Sequence, residues 1–206
     1  MRRMRRHLVV FVRLPVLGAV KRRLARDIGA VAAVGFYRRT TASVVARLAR
    51  DRRWSTVLAV TPDRAVTAAP PAWRGCRRER QGPGDLGRRM ARALRRHAPD
   101  PVVVVGSDIP GITARHVATA FRALGHAELV IGPAEDGGYW LIGSRDGRRL
   151  FRPFAGVRWS GPHALADTVA SLRGRRIAIV ARLADVDDGA DFEAARKRPI
   201  RPCGAR

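Results

Sequence analysis

Apolar residues in this chain fall into short runs, and the runs are separated by longer stretches where apolar and charged positions recur at helical spacing. Residues 8–12 (Leu-Val-Val-Phe-Val), 55–60, 102–105 and 128–132 are runs of the first kind and predict strands. The run at 102–105 is four valines, which suits a strand covered on both faces, as in a parallel sheet. Between the runs, Val34, Tyr37, Val44, Val45 and Leu48 mark one face of a helical region over 21–52, softened or interrupted near Gly29 and Gly35. Leu86, Met90 and Leu94 do the same over 85–97, with Asp85 as a fitting N-cap. Further helices are predicted over 115–124, 162–172 and 189–196, and further strands over 139–142 and 176–181. Residues 64–84 are rich in Pro, Ala, Gly and Arg and read as irregular. Alternating strands and helices predict an α/β fold with a mostly parallel sheet and helices on both faces. The stretch 132–160 breaks the alternation, so a mixed sheet with an antiparallel element is expected. Residues 1–196 are expected to form a single domain and 197–206 a frayed basic tail.

Chemistry concentrates where strands end. Residues 130–143 read Val-Ile-Gly-Pro-Ala-Glu-Asp-Gly-Gly-Tyr-Trp-Leu-Ile-Gly. Glu135 and Asp136 sit at a Gly-Gly turn between two strand-like segments, which is a solvated hairpin if it stands alone. It does not stand alone. The valine strand ends at Gly106 and is followed by Ser107 and Asp108, and ligands of open α/β sheets bind outside the carboxyl ends of strands. Thr113 is a better cap than Asp108 for the next helix, which frees Asp108 for a ligand. After the first strand, Gly18, Lys21, Arg22 and Arg23 approach a helix N-terminus, where cations oppose the helix dipole unless an anion lies between them. The spacing is neither that of a P-loop nor that of a dinucleotide fingerprint. Gln81 and Gly82 precede Asp85 and are candidates for contact with a base or sugar edge. Trp159 reads as core or as a stacking platform, and Ser160 as a helix cap. Asp185, Asp187, Asp188 and Asp191 crowd one late segment. With Asp187 or Asp188 as a cap, it reads as a solvated helix start. If it folds back beside Asp108, a magnesium-type site becomes attractive, since Mg²⁺ takes one or two carboxylates plus phosphate oxygens.

Composition changes this picture little. The chain has 206 residues, 46% of them hydrophobic, and no apolar run long enough to span a membrane. The first apolar run is too short for a secretory signal, so the chain is expected to be cytoplasmic. Cys76 and Cys203 form neither a metal motif nor a disulfide framework. The net charge of +24 raises a nucleic-acid reading. Of 41 basic residues only Lys21 and Lys197 are lysines, and the arginines are scattered without interleaved aromatics. That usage follows from a GC-rich coding sequence, so no specific nucleic-acid partner is expected. Nonspecific adhesion at low salt is.

Taken in order, the motifs are Phe-x-Arg-x-Pro-x-x-Gly-x-x-Lys-x-Arg-Leu (11–24), Gly-Asp-Leu-Gly-x-Arg-Met (84–90), Gly-Ser-Asp-x-Pro-Gly (106–111), the 132–143 block, Trp-Ser (159–160) and Asp-Val-Asp (185–187). Together they resemble the bacterial glycosyltransferase-like family of radical-SAM/selenodomain-associated transferases, some of them arsenosugar-biosynthesis enzymes. The resemblance implies a GT-A-like, nucleotide-diphospho-sugar transferase fold: a three-layer α/β/α sandwich with a mostly parallel mixed sheet. It implies Mg²⁺ or Mn²⁺ held by Asp108 and Asp187, and phosphates supported by Lys21 and Arg23. Glu135 or Asp136 would bind or deprotonate the acceptor, or touch the metal. Three departures stand out: Lys21-Arg22-Arg23-Leu24 for Lys-Thr-Arg-Leu, Trp159-Ser160-Gly161 for Trp-Ser-Thr, and Tyr139-Trp140 for Tyr-Tyr. The partners expected are a nucleotide-activated donor and an acceptor the sequence does not identify. Glycosyl transfer is the leading chemistry, favoured by a first loop with a single glycine. Nucleotidyl transfer with release of pyrophosphate is the alternative, and a noncatalytic nucleotide-binding module is a further one.

Overall fold

The computed structural model describes residues 4–67, 70–150 and 152–197. Seven strands form one sheet: β1 (His7–Arg13), β2 (Ser55–Thr61), β3 (Arg77–Arg80), β4 (Val102–Gly106), β5 (Leu129–Pro133), β6 (Tyr139–Ser144) and β7 (Ile177–Ile179). Their spatial order is β3-β2-β1-β4-β6-β5-β7. Only β6 runs against its neighbours, pairing antiparallel with β4 and β5, while every other pair is parallel. The expected antiparallel element is therefore β6, entered through the Gly-Gly turn.

Among the described residues six α-helices accompany the sheet: α1 (Arg22–Ile28), α2 (Ala30–Ala49), α3 (Leu86–Arg96), α4 (Ala114–Ala123), α5 (Ala164–Ser171) and α6 (Gly189–Lys197). Side chains alternate across a strand, and this splits the valine run of β4 between two cores. Val103 and Val105 face Val44, Val45 and Leu48 of α2 and Val117 and Phe121 of α4. Val102 and Val104 face Met90, Ala93 and Leu94 of α3 and Ala164 of α5. Each fully buried valine contributes about 1.5–3 kcal/mol of transfer free energy, so this strand anchors both layers. The result is the three-layer α/β/α arrangement expected of a GT-A-like fold.

Two caps match their sequence signals. Asp85 accepts from the Arg88 N–H, and Thr113 forms a reciprocal capping box with His116. The helical region over 21–52 breaks at Gly29, which adopts φ +85°, and continues unbroken through Gly35. Two expectations need correction. The stretch read as irregular contains β3, whose Arg-Arg-Glu-Arg sequence has no apolar alternation because it lies at the sheet edge, where charge is tolerated. Ser160 does not cap α5: its backbone is left-handed at φ 64°, and His163 takes the cap position. Most of the expected tail, 198–206, lies outside the described residues, and Cys203 with it. No helix of the described residues is long and apolar enough to cross a membrane.

Candidate active site

The chain leaves β1 towards β2 on one side, while β4 begins the other half of the sheet on the opposite side of β1. The carboxyl ends of β1 and β4 thus flank the topological switch point, where a crevice must open. Lys21 comes from the loop after β1 and Asp108 from the loop after β4. They meet there, with Lys21 Nζ 2.6 Å from Asp108 Oδ2. The same nitrogen lies 2.7 Å from Asp187 Oδ1. The Lys21 side chain is only 5% exposed, and its backbone is left-handed, at φ 46°. Such a conformation costs a non-glycine residue on the order of 1–3 kcal/mol, and two ion pairs hold it. Burial by itself would lower the Lys21 pKa, but the two carboxylates outweigh it and raise the ammonium above the usual lysine range.

The loop carrying Asp108 is fixed from beneath by α2. The Tyr37 hydroxyl accepts from the Arg13 N–H at 2.9 Å and lies 3.3 Å from Ser107 Oγ, and Thr41 Oγ1 is 3.4 Å from that same oxygen. Tyr37 and Thr41 look like ordinary core positions of a helix in the sequence; only the pairing of β1 with β4 reveals them as supports of the site.

Asp185 and Asp187 arrive by a different route. Beyond β7 the chain stays extended along β5, donating from Val180 N–H to Ile131 O and from Leu183 N–H to Pro133 O. The Trp140 indole N–H donates to Ala181 O at 2.9 Å and pins the same segment. Val186 then packs with Leu24 and Ala33, which turns its neighbours Asp185 and Asp187 the other way, into the crevice. Asp188 caps α6, accepting from the Asp191 N–H, so Asp187 is left to Lys21.

Asp136 completes the group. Its Oδ1 accepts from the Gly138 N–H at 2.8 Å. Asp136, Asp185 and Asp187 can each place a carboxylate oxygen within 4.8 Å of the others. Burial, reinforced by repulsion from Asp187 and Asp136, pushes the Asp185 carboxyl up to about 6. The Gly-Gly turn has a steric reason: Gly137 sits at φ +85°, and a Cβ there would lie 2.4 Å from Pro162 O. Its carbonyl accepts from the Leu165 N–H, joining the acidic turn to the start of α5.

Three recesses follow one another along this edge of the sheet. One of about 610 Å³ lies at the ends of β1 and β2, walled by Leu14, Val16, Gly18, Thr61 and Pro62. It shares Arg13 and Arg22 with a basic recess of about 370 Å³ that also contains Lys21, Arg23, Asp108 and Asp187. That recess shares Asp108 with a cleft of about 260 Å³ bearing Asp136, Asp185, Met90, Tyr139 and Trp159.

Of the residues expected from sequence, the structure brings together Lys21, Arg23, Asp108, Asp136 and Asp187, with Gly18 one recess away. Arg23 is 65% exposed and pairs with Asp188 at 3.3 Å and Asp187 at 4.0 Å. Glu135 is exposed and is not part of the cleft lining that its neighbour Asp136 joins. Gln81 is buried, donating from Nε2 to Ala59 O and Val12 O, and so stitches β1 to β2. Gly82 donates to Asp63 Oδ1 at 3.0 Å. Neither Gln81 nor Gly82 lines any of the three recesses. Asp185, named from sequence only as part of an acidic segment, joins the group as well, and its period-two relation to Asp187 around an apolar Val186 is the signal for it.

The bacterial family described as uncharacterized protein conserved in bacteria (DUF2064) matches residues 44–161, and the chain belongs to it. The matched span includes Asp108 and Asp136. No curated protein matches the chain. Among solved structures, a candidate nucleotide-diphospho-sugar transferase from Desulfovibrio desulfuricans G20 is 29% identical, with a TM-score of 0.87 over 96% of this chain and 89% of that one. The 4-diphosphocytidyl-2C-methyl-D-erythritol synthase of Anaerococcus prevotii DSM 20548 shares the fold at 9% identity, with a TM-score of 0.61 and coverage of 95% and 99%. A Mycobacterium tuberculosis H37Rv protein, Rv0371C, solved as a complex with manganese, shares it at 18% identity, with a TM-score of 0.52 and coverage of 93% and 97%.

Proposed function

We propose that this protein is a divalent-metal-dependent glycosyltransferase using a nucleotide-diphospho-sugar donor. The observation that carries this reading is the meeting of Lys21, Asp108 and Asp187 at the switch point, between a basic recess and an acidic, aromatic cleft. The recesses follow the order of groups in such a donor. A nucleoside suits the recess beside β1 and β2, a diphosphate suits Arg13, Arg22, Arg23 and Lys21, and a sugar suits the cleft. The description of the 29% identical Desulfovibrio protein supports the same donor class. So does the motif resemblance to radical-SAM-associated glycosyltransferases.

The acid group fits Mg²⁺ or Mn²⁺. Its donors are hard carboxylate oxygens close enough to share one ion, and burial, with repulsion from Asp187 and Asp136 added, raises the Asp185 pKa. Asp136, Asp185 and Asp187 would hold the ion. When bound, it neutralises charge on the departing diphosphate. The chain's own residues do the rest. Lys21 keeps Asp108 and Asp187 in register and offers its ammonium to a phosphate oxygen. Arg23, on the solvent side, adds a second cation. Asp108 lines both the phosphate recess and the cleft, which places its carboxylate to receive the proton of an acceptor hydroxyl. Trp159 and Tyr139 give the cleft an apolar, aromatic wall.

Nucleotidyl transfer is the second reading, supported by the fold shared with a cytidylyltransferase of Leptospira borgpetersenii. It attacks the α-phosphorus of a nucleoside triphosphate and releases pyrophosphate. The loop between β1 and α1 carries one glycine, Gly18, too few to wrap a triphosphate closely, and this favours glycosyl transfer. Product analysis separates the two. The purified protein is incubated with nucleotide sugars or triphosphates, with and without Mn²⁺, beside Asp187→Asn. Manganese-dependent release of a nucleoside diphosphate, lowered at least about 100-fold in the variant, is expected. Pyrophosphate release instead establishes the second reading, and no product from either donor class contradicts both.

A further inference from the structure

The cleft at Asp108 differs from the recesses around it in one respect: among the described residues, none that lines it is arginine, lysine or histidine. Four other recesses each carry three or more arginines, including the two that adjoin the site. In a chain of net charge +24, a concave surface with three carboxylates and no basic side chain is a chemical statement about its occupant. The carboxylates are Asp108, Asp136 and Asp185, and the apolar walls are Leu86, Met90, Tyr139 and Trp159.

Resting on the transferase reading above, we infer that this cleft takes an uncharged, hydroxyl-bearing ring, and that the group seated there carries no phosphate of its own. A phosphate needs cationic or N–H donors, and the lining offers carboxylates that repel it. A bound divalent cation does not reverse this. Four carboxylates, counting Asp187, face the single Lys21 ammonium, so the set has no net positive charge even with the ion in place. A cationic group would have to compete with Lys21 and with that ion for carboxylates they already hold. Carboxylates that accept from hydroxyls, set against apolar and aromatic walls that cover C–H faces, are complementary to a neutral polyol ring. The volume of about 260 Å³ lies below the roughly 300–1,000 Å³ of drug-sized ligand sites, which suits one small ring.

Trp159 is held in this role by close packing. Its ring meets Phe154 and Tyr139 edge to face, and Gly87 of α3 leaves room for it: a Cβ there would lie 2.7 Å from Trp159 Cζ2. Trp54 and Trp73 lie outside the cleft and Trp140 lines it but is buried, so Trp159 is the more exposed tryptophan of the cleft, and Trp159→Phe separates its emission from that of Trp140.

The test is a fluorescence titration of the full chain at near-physiological salt with D-glucose, D-mannose and D-ribose. Each is matched with its terminal phosphate, and glucosamine is the cationic probe. Three proteins are compared: wild type, Trp159→Phe and Leu86→Arg. Leu86 is exposed at the cleft mouth, so the arginine adds a cation without disturbing the core. The expected result at up to about 50 mM, ample for millimolar affinity, is a saturable change with a neutral sugar. Its phosphate should bind at least about 10-fold more weakly, a difference of roughly 1.4 kcal/mol. Trp159→Phe should lose the signal, and Leu86→Arg should gain a response to the sugar phosphate. The inference is overturned if wild type responds to sugar phosphates or glucosamine as strongly as to every neutral sugar, or to no neutral sugar at all. Metal-dependent nucleotide binding in the adjoining recesses is read separately. Its failure would sink the transferase reading, while a phosphate-binding cleft beside intact nucleotide binding would sink only this inference.

Discussion

Lys21 and Asp108 stand 2.6 Å apart, one in the loop after β1 and the other in the loop after β4. The two strands are hydrogen-bonded neighbours, so this ion pair closes the crevice that the strand order opens. With Asp187 on its other side, Lys21 is the buried cation around which the site is assembled. The pair is a stability element and a functional one together, and substitutions separate the roles.

Replacing Lys21 with Met removes the only ammonium among four carboxylates. Breaking a buried pair from one side costs about 3–5 kcal/mol, and the third-exposed carboxylates here are partly screened, so a loss of about 1–3 kcal/mol is expected. Urea denaturation measures it. Added Mn²⁺ should recover part of the loss by supplying the missing positive charge.

Asp187 and Asp188 are adjacent but serve different purposes. Asp188→Ala removes the α6 cap and should cost about 1 kcal/mol, with metal-dependent nucleotide binding retained. Asp187→Asn keeps a polar partner for Lys21 and should leave stability nearly intact while metal-dependent binding is lost. Paired denaturation and calorimetric titrations of the two variants test the division of labour.

Asp185 sets a pH dependence. Its carboxyl is raised from 3.8 to about 6 in the folded state, so the native protein holds this proton more tightly than the unfolded chain. That contribution is fully present below about pH 4 and is lost as pH rises through 6. Asp185→Asn should therefore be more stable than wild type above pH 6, by on the order of 1–2 kcal/mol after screening, with no advantage near pH 4. Stability measured against pH for both proteins gives the difference curve. In wild type, protons should compete with Mn²⁺ below pH 6.

Gly137→Ala tests the acidic turn. The added Cβ meets the backbone of Pro162, and the residue is held at φ +85°, so neither side can yield cheaply. A loss of about 2–4 kcal/mol is expected, together with displacement of Asp136 and weaker metal binding. Gly18→Ala has a positive φ but open space around it, and should cost only about 1 kcal/mol.

The layers of the fold were legible because their signals are local. Four valines announce β4, and helical spacing announces α3. β3 was not, because an edge strand of Arg-Arg-Glu-Arg owes its place to backbone pairing with β2 and carries no apolar pattern. In the site, Asp108, Asp136 and Asp187 were readable as acids at strand ends or turns. That Lys21 bridges two of them was not, because the contact spans 166 residues of sequence and depends on strand order. Gln81 shows the opposite case. A polar residue before a glycine turn suggested ligand contact, whereas its buried amide serves the two carbonyls that the sheet leaves open. A lone polar side chain in a sequence gives no indication of which backbone groups will need it.

Nucleotide binding at the Lys21–Asp108–Asp187 site is expected to require a divalent cation. The most direct measurement is thermal or calorimetric stabilisation of the wild-type protein by a nucleotide-diphospho-sugar panel, with Mn²⁺, Mg²⁺ or chelator, beside Asp187→Asn. A ligand at 100 times its Kd adds about 2.7 kcal/mol to the native state. A shift of that order is expected for at least one nucleotide sugar, present with metal, absent with chelator and absent in Asp187→Asn. Equal stabilisation with and without metal, or a shift that Asp187→Asn leaves unchanged, would contradict it.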